Sequence, residues 1–126
     1  MDDRPIWNDA GHVWADGAPG GVLLIHGRRH RSGAAVVYVD HRRLSPKASL
    51  RVRRHSPTGF EWGYAGSGPA QLALGLLLRG GVPARQAVRL HQRFKAEFVQ
   101  HFPPEGFLVE LNIRAWAARQ LAPRPS

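Results

Sequence analysis

His55-Ser-Pro-Thr-Gly-Phe-Glu-Trp-Gly-Tyr-Ala-Gly-Ser-Gly-Pro-Ala-Gln-Leu-Ala73 packs a turn, an aromatic run, a glycine-rich elbow and a helix start into one short segment. Pro57 suits position i+1 of a type I turn, and Gly59 supplies the left-handed residue that follows. That chemistry predicts a hairpin joining strands at Ser49–Arg54 and Phe60–Tyr64. In the register it sets, Phe60, Trp62 and Tyr64 share a core face with Val52, while Arg51, Arg53, His55 and Glu61 share the other. Gly68 as N-cap, Pro69 at N1 and Gln71 at N3 then open a helix over Ala70–Arg79. Gly80–Gly81 ends it with residues that tolerate left-handed geometry. A helix this apolar is expected to be largely buried.

Upstream of this segment, Val22–His26 is a short apolar run and Ala34–Asp40 is β-branched and aromatic. Too few residues separate them for a helical crossover, so they are expected to pair antiparallel. His41–Lys47 is a basic connection in which Pro46 rules out a central strand. Downstream, Ala87, His91, Phe94, Phe98 and Phe102 recur at helical spacing and predict one long helix over Ala84–Phe102. Pro103–Pro104 stops it. Phe107–Val109 extends briefly before a last helix over Glu110–Leu121 that turns Ile113, Trp116, Ala117 and Leu121 inward. Residues 1–20 read as an irregular arm with one edge strand at His12–Ala15, residues 21–122 as a single domain and residues 123–126 as a tail. Strands followed by helices imply an α+β fold, an antiparallel sheet of roughly three to five strands with about three helices on one face.

The order from Gly59 to Ala73, then Arg93-Phe94-Lys95 on a helix, then Ile113-Arg-Ala-Trp116, resembles a domain-of-unknown-function family, the one numbered 6166. Its members are small bacterial, phage and plasmid proteins. The resemblance spans about Val22 to Leu121 and departs from the family's Gly-Tyr-Gly-Gly-Ser-Gly-Pro form at Ala65. It implies a common fold and a mobile-element setting, and it carries no activity.

Charge is the informative bulk property. The chain of 126 residues has a formal net charge of +9, with four Trp and no Cys. Between Arg28 and Arg54 lie nine basic residues (Arg28, Arg29, Arg31, Arg42, Arg43, Lys47, Arg51, Arg53 and Arg54) and one acid, Asp40, so this segment alone holds +8. Sixteen Arg against two Lys reflects a general preference for arginine, but such a preference does not explain clustering. A basic block on an otherwise near-neutral chain points to an anionic partner, foremost nucleic acid. Arg28, Arg29, Arg31, Arg42, Arg43, Lys47, Arg51 and Arg53 are the candidate phosphate contacts. No helix-turn-helix or zinc finger is evident, and no RNP-type aromatic strand reads as outward-facing. Binding should therefore be electrostatic and weakly sequence-selective. The alternative is a protein-interaction or inhibitor module acting on a host protein. No apolar run approaches the ~20 residues of a membrane span, and the N-terminus lacks the order of a signal peptide. A soluble, cytoplasmic protein is expected.

Tyr64-Ala-Gly-Ser-Gly-Pro69 leads from an aromatic run into a helix N-terminus. Gly66, Ser67 and Gly68 could seat an anion there, or the glycines could serve close packing at a tight elbow. The segment lacks the lysine and length of a Walker loop. The histidines have no metal-ligand spacing and no Cys to join them, so neither metal nor cofactor is expected. His55, Ser56 and Glu61 sit around one turn without an evident oxyanion hole, and no catalytic residue is assigned. Trp7 and Trp14 remain as aromatic platforms in the arm.

Overall fold

A computed structural model of the chain describes residues 6–7, 13–15, 21–56 and 59–122. The sheet is built from β1 (Ile6–Trp7), β2 (Val13–Ala15), β3 (Leu23–Arg29), β4 (Ala35–Val39), β5 (Arg42–Arg43) and β6 (Gly106–Leu111), in the order β1-β2-β6-β3-β4-β5. The strands β6-β3-β4-β5 form an antiparallel core, and β2 adds to β6 in parallel. Four helices complete an α+β fold: α1 (Lys47–Val52), α2 (Ser67–Arg79), α3 (Ala84–Glu97) and α4 (Ile113–Leu121).

Alternation sorts the two faces of the sheet. Leu23, Ile25 and Gly27 of β3, Val37 and Val39 of β4, and Phe107, Val109 and Leu111 of β6 face the helices, and the apolar ones among them belong to the core or pack against it. Gly27 is a close-approach glycine, because a Cβ there would lie 2.1 Å from the Phe107 ring. Phe107 stacks on Phe102 at 4.1 Å and meets the edge of Trp62 at 5.0 Å. Helix α2 occupies the middle of the domain, with every residue from Gly68 to Leu77 buried. Helices α1 and α3 pack against it. Gly81 sits at φ +91° and donates to the Leu78 carbonyl, while Val82 donates to that of Leu77, closing the helix as its glycines suggest.

The expected hairpin between Ser49–Arg54 and Phe60–Tyr64 is not formed. Residues 47–52 are helical and 60–64 lie in an irregular segment. Gln71, buried in α2, is the reason the chain needs no sheet partner here. Its Nε2 donates to Ser49 Oγ at 2.9 Å and to the Arg53 carbonyl at 3.0 Å, and its Oε1 accepts from the backbone N–H groups of His55 at 2.7 Å and Ser56 at 3.2 Å. One amide thus fills its full hydrogen-bonding capacity and satisfies backbone groups that a ladder would otherwise have taken. The aromatic segment is pinned separately, by Gly63 N–H to the Val99 carbonyl and Trp62 Nε1 to the Pro103 carbonyl. Phe60 and Trp62 are buried as expected, but Tyr64 is 51% exposed and Val52 36% exposed, so neither shares their face. Pro57 and Thr58 lie outside the described residues, and Gly59 has the positive φ, +102°, that the turn chemistry anticipates.

Four boundaries differ for local reasons. Helix α2 begins two residues earlier than expected, with Gly66 rather than Gly68 at the N-cap. Pro69 still falls within the first turn, where its missing N–H costs nothing. Helix α3 ends at Glu97, and a 3₁₀ turn over Val99–His101 carries Phe102 inward. Residues 106–111 are a full strand placed between α3 and α4, so the sheet is not completed before the helices begin. Helix α4 therefore starts at Ile113, where the Asn112 side chain accepts from the Ala115 N–H at 3.0 Å.

Beyond β4 the chain reverses through Asp40 and His41, both at positive φ (49° and 68°), a two-residue turn with primed geometry. The Asp40 carboxylate accepts from the Leu24 N–H at 2.9 Å, which holds the turn against β3. The strand it produces, β5, presents two arginines at the sheet edge. Among the described residues no helix is long and apolar enough to cross a membrane.

Candidate functional site

The sheet face turned away from the helices carries the chemistry that the core does not use. Directly paired residues of antiparallel strands share a face, and the register places Leu108, His26, Tyr38 and Arg43 in one row across β6, β3, β4 and β5. Arg28 lies in the next row, opposite Gly106 and Val36, and Leu24 opposite Glu110 begins the row on the other side. The His26 and Tyr38 rings are 6.1 Å apart and inclined at 36°. Around them Leu24, His26, Arg28, Tyr38, His41 and Leu108 line a concavity of about 540 Å³. A second, of about 450 Å³, continues past His26, Arg28 and Leu108 to Glu105 and Gly106 at the sheet's end. The His26 imidazole is held below its ordinary value of 6.5, first by burial and then by the Arg28 and His41 charges beside it. It is therefore neutral at physiological pH.

The candidate phosphate contacts divide between this face and the helical side. Arg28 is exposed on the outer face, and Arg31 is exposed in the β3–β4 hairpin. Arg43 belongs to the outer face by its pairing with Tyr38, while Arg42, paired with Val39, projects from the opposite side of the same edge strand. The chain then passes through Leu44, Ser45 and Pro46 into α1, where Lys47 and Arg51 are exposed, and Arg53 and Arg54 follow, also exposed. The basic residues thus run from the outer face around the β5 edge to α1.

Arg29 is placed differently from its neighbour. It points to the helical side, where its two terminal nitrogens grip both oxygens of Glu61 at 3.1 and 2.8 Å and its Nε donates to the Pro104 carbonyl at 2.7 Å. Its guanidinium also lies 4.6 Å over the Trp62 ring. Glu61 holds the guanidinium pKa above its usual value, chiefly through these hydrogen bonds. Four groups of Arg29's surroundings are thereby joined: β3, the aromatic segment, the Pro103–Pro104 stop and the core.

At the elbow, Gly66 and Gly68 have steric reasons for being glycine. A Cβ on Gly66 would lie 2.5 Å from the Tyr64 ring, and one on Gly68 would lie 2.6 Å from Glu61 Cβ. Ser67 is exposed at the first position of α2. Glu61 is engaged by Arg29, whereas His55 bonds elsewhere, so the His55, Ser56 and Glu61 side chains do not form one unit. His55 instead pairs with His91, Nε2 to Nε2 at 2.8 Å. His91 Nδ1 lies 2.6 Å from the Val88 carbonyl and must donate to it, which leaves Nε2 to accept from His55. Sequence reasoning missed this pair, because the two residues are joined only by the fold. Among the described residues no group of three or more His, Asp or Glu side chains could hold a metal ion. The side chains of Trp7 and Trp14 lie outside the described residues.

No curated protein and no solved structure matches the chain. A family model does match, over residues 25–119, from the core strand β3 to the last turn of α4. That span holds the aromatic segment, the glycine elbow, the buried amide of Gln71 and the outer sheet face. The chain belongs to the family of unknown function DUF6166.

Proposed function

We propose that this protein is a small basic binding protein for nucleic acid, acting through phosphate contacts with weak sequence preference. The observation that carries the reading is the concentration of +8 of the net +9 between Arg28 and Arg54. In the fold this segment leads from the outer sheet face around the β5 edge to α1. Arg28, Arg31, Arg42, Arg43, Lys47, Arg51 and Arg53 are exposed along that path. A positive strip of this kind attracts a polyanion at long range and neutralises phosphates on contact. Arg29 stands apart from the strip, because its charge is balanced by Glu61 and its donors are used by Glu61 and Pro104. The arginines lie along a sheet edge and a short helix, so contacts fall on phosphates more than on base edges.

Fluorescence anisotropy with labelled oligonucleotides of unrelated sequence tests this at about 50 mM salt. The reading expects similar affinity for different sequences of the same strandedness, and marked weakening as salt rises. Indifference to every oligonucleotide, with saturable binding to one protein, would favour the interaction-module reading instead.

A further inference from the structure

We infer that the outer sheet face is a platform for single-stranded nucleic acid, with unpaired bases stacked on Tyr38 and His26 and flanking phosphates held by Arg28 and Arg43. The inference rests on the binding reading above and adds to it which form of nucleic acid is bound, and where.

Three features of the face select a single strand. The first is the pair of rings. Tyr38 and His26 sit opposite each other on adjacent strands, 6.1 Å apart, half-buried on a face that no described helix covers. Leu24 and Leu108 line the same concavity and add apolar surface to it. Aromatic surface held in this way offers stacking to a base whose π-face is free, which is the case in a single strand and not in a duplex. A neutral His26 stacks without the hydration that an imidazolium would hold.

The second feature is the distribution of charge around the rings. Arg28 occupies one flank, with Arg31 beyond it in the hairpin, and Arg43 closes the row at the β5 edge. The acids Glu110 and Asp40 lie at the opposite end, one on each side of Leu24. A phosphate backbone is thus drawn along the Arg28 and Arg43 side and turned away from the Leu24 end. Glu105 in the adjoining cleft limits how far the path extends past Gly106.

The third feature is what the edge excludes. Strand β5 is two residues long and both are arginines, which makes it a poor template for strand addition by a protein partner. The face itself, being concave and flanked by Arg28 and Arg43, suits bases laid flat upon it.

The test compares an oligothymidylate of about twelve nucleotides with a duplex of the same length, using the wild type and the variants Tyr38→Leu, Tyr38→Phe and Arg28→Ala. The single strand is expected to bind more tightly than the duplex. Tyr38→Leu should weaken single-strand binding by roughly 5- to 150-fold, the range for one lost stacking contact, with duplex binding unchanged. Tyr38→Phe keeps the ring and should stay near the wild type. Arg28→Ala should weaken both ligands. Upfield shifts of the Tyr38 ring protons on titration of the wild-type protein provide a readout that needs no variant. If Tyr38→Leu binds the single strand as the wild type does, or the ring protons do not move while binding occurs, the platform is wrong and phosphate binding stands alone. If the wild type binds neither ligand, the reading beneath it fails too.

Discussion

Arg28 and Arg29 are adjacent in sequence, identical in chemistry and opposite in what surrounds them. Arg29 continues the phase of Ile25 and Gly27, enters the helical side, and has its donors matched to Glu61 and Pro104 over Trp62. Arg28 is in phase with Leu24 and His26 and stands exposed beside a concavity, and among the described residues no carboxylate or carbonyl bonds it. The helical face is saturated: rings interlock, and Gln71 uses each of its donors and acceptors. Among the described residues, the rings and cations of the outer face have no comparable set of partners. A polar array that the fold does not consume is available for a ligand, and this contrast underlies the functional reading.

The contrast breaks first, and most severely, on the helical side. Trp62→Ala removes a fully buried ring, its hydrogen bond to Pro103 and the surface beneath Arg29. It should cost about 3–5 kcal/mol, measured by urea denaturation. A loss under about 1 kcal/mol would mean that the aromatic segment is not part of the core.

Gln71→Leu tests the buried amide. Ser49, Arg53, His55 and Ser56 would each lose a partner, and Ser49 and Ser56 are buried away from water. The expected cost is about 3 kcal/mol or more, even though leucine restores an apolar helix face. A neutral result would show that residues 49–56 are held by something other than this amide.

Arg29→Ala should cost about 1–2 kcal/mol, since the pair is partly exposed but bidentate and stacked on Trp62. Arg28→Ala should change stability by no more than about 0.5 kcal/mol. Equal effects at the two positions would erase the distinction between the faces.

A smaller effect comes from protonation. Burial holds His91 and His55 below the ordinary value of 6.5, with Arg53 and Lys95 adding to the shift, and Gln92 also lies within reach of His91. His26 is lowered on the outer face. Unfolded imidazoles take up protons near pH 6.5 while the folded ones resist, so the unfolded state binds more protons as pH falls. Stability should therefore be level above pH 6.5 and decline below it, until the folded groups protonate in turn. Replacement of His91 by Gln should flatten that decline; an unchanged pH profile would contradict the assignment.

Much of this architecture is legible in the chain, and the failures have physical causes. Helix α2 is plain from its apolar run and flanking glycines, and the β3–β4 pairing from two short runs with little between them. The Pro57–Gly59 turn chemistry points to a hairpin at 49–64, and Gly59 does take the positive φ, yet residues 47–52 form a helix and 60–64 an irregular segment. What displaced the hairpin was one buried glutamine, whose partners are distant in sequence. The strand at Gly106–Leu111 does carry a period-two signal, Phe107, Val109 and Leu111 against Leu108 and Glu110, followed by an asparagine cap at Asn112. The outward placement of Tyr38, between the core positions Val37 and Val39, is not evident in the chain, where no aromatic strand reads as outward-facing. An unbroken apolar run hides such a position because Val36 is also covered. The histidine pair was not legible, since nothing local links residues 55 and 91.

The central claim is that arginines free of structural duties hold phosphates, and the salt dependence of binding tests it most directly. Four to six phosphate contacts predict a slope of roughly −3 to −5 in log K against log salt. Replacement of Arg28, Arg31 and Arg43 together by alanine should make that slope shallower by about 2–3 on duplex DNA, with the melting temperature nearly unchanged. A slope that stays the same in the triple variant, or a wild type that ignores nucleic acid at about 50 mM salt, would contradict it.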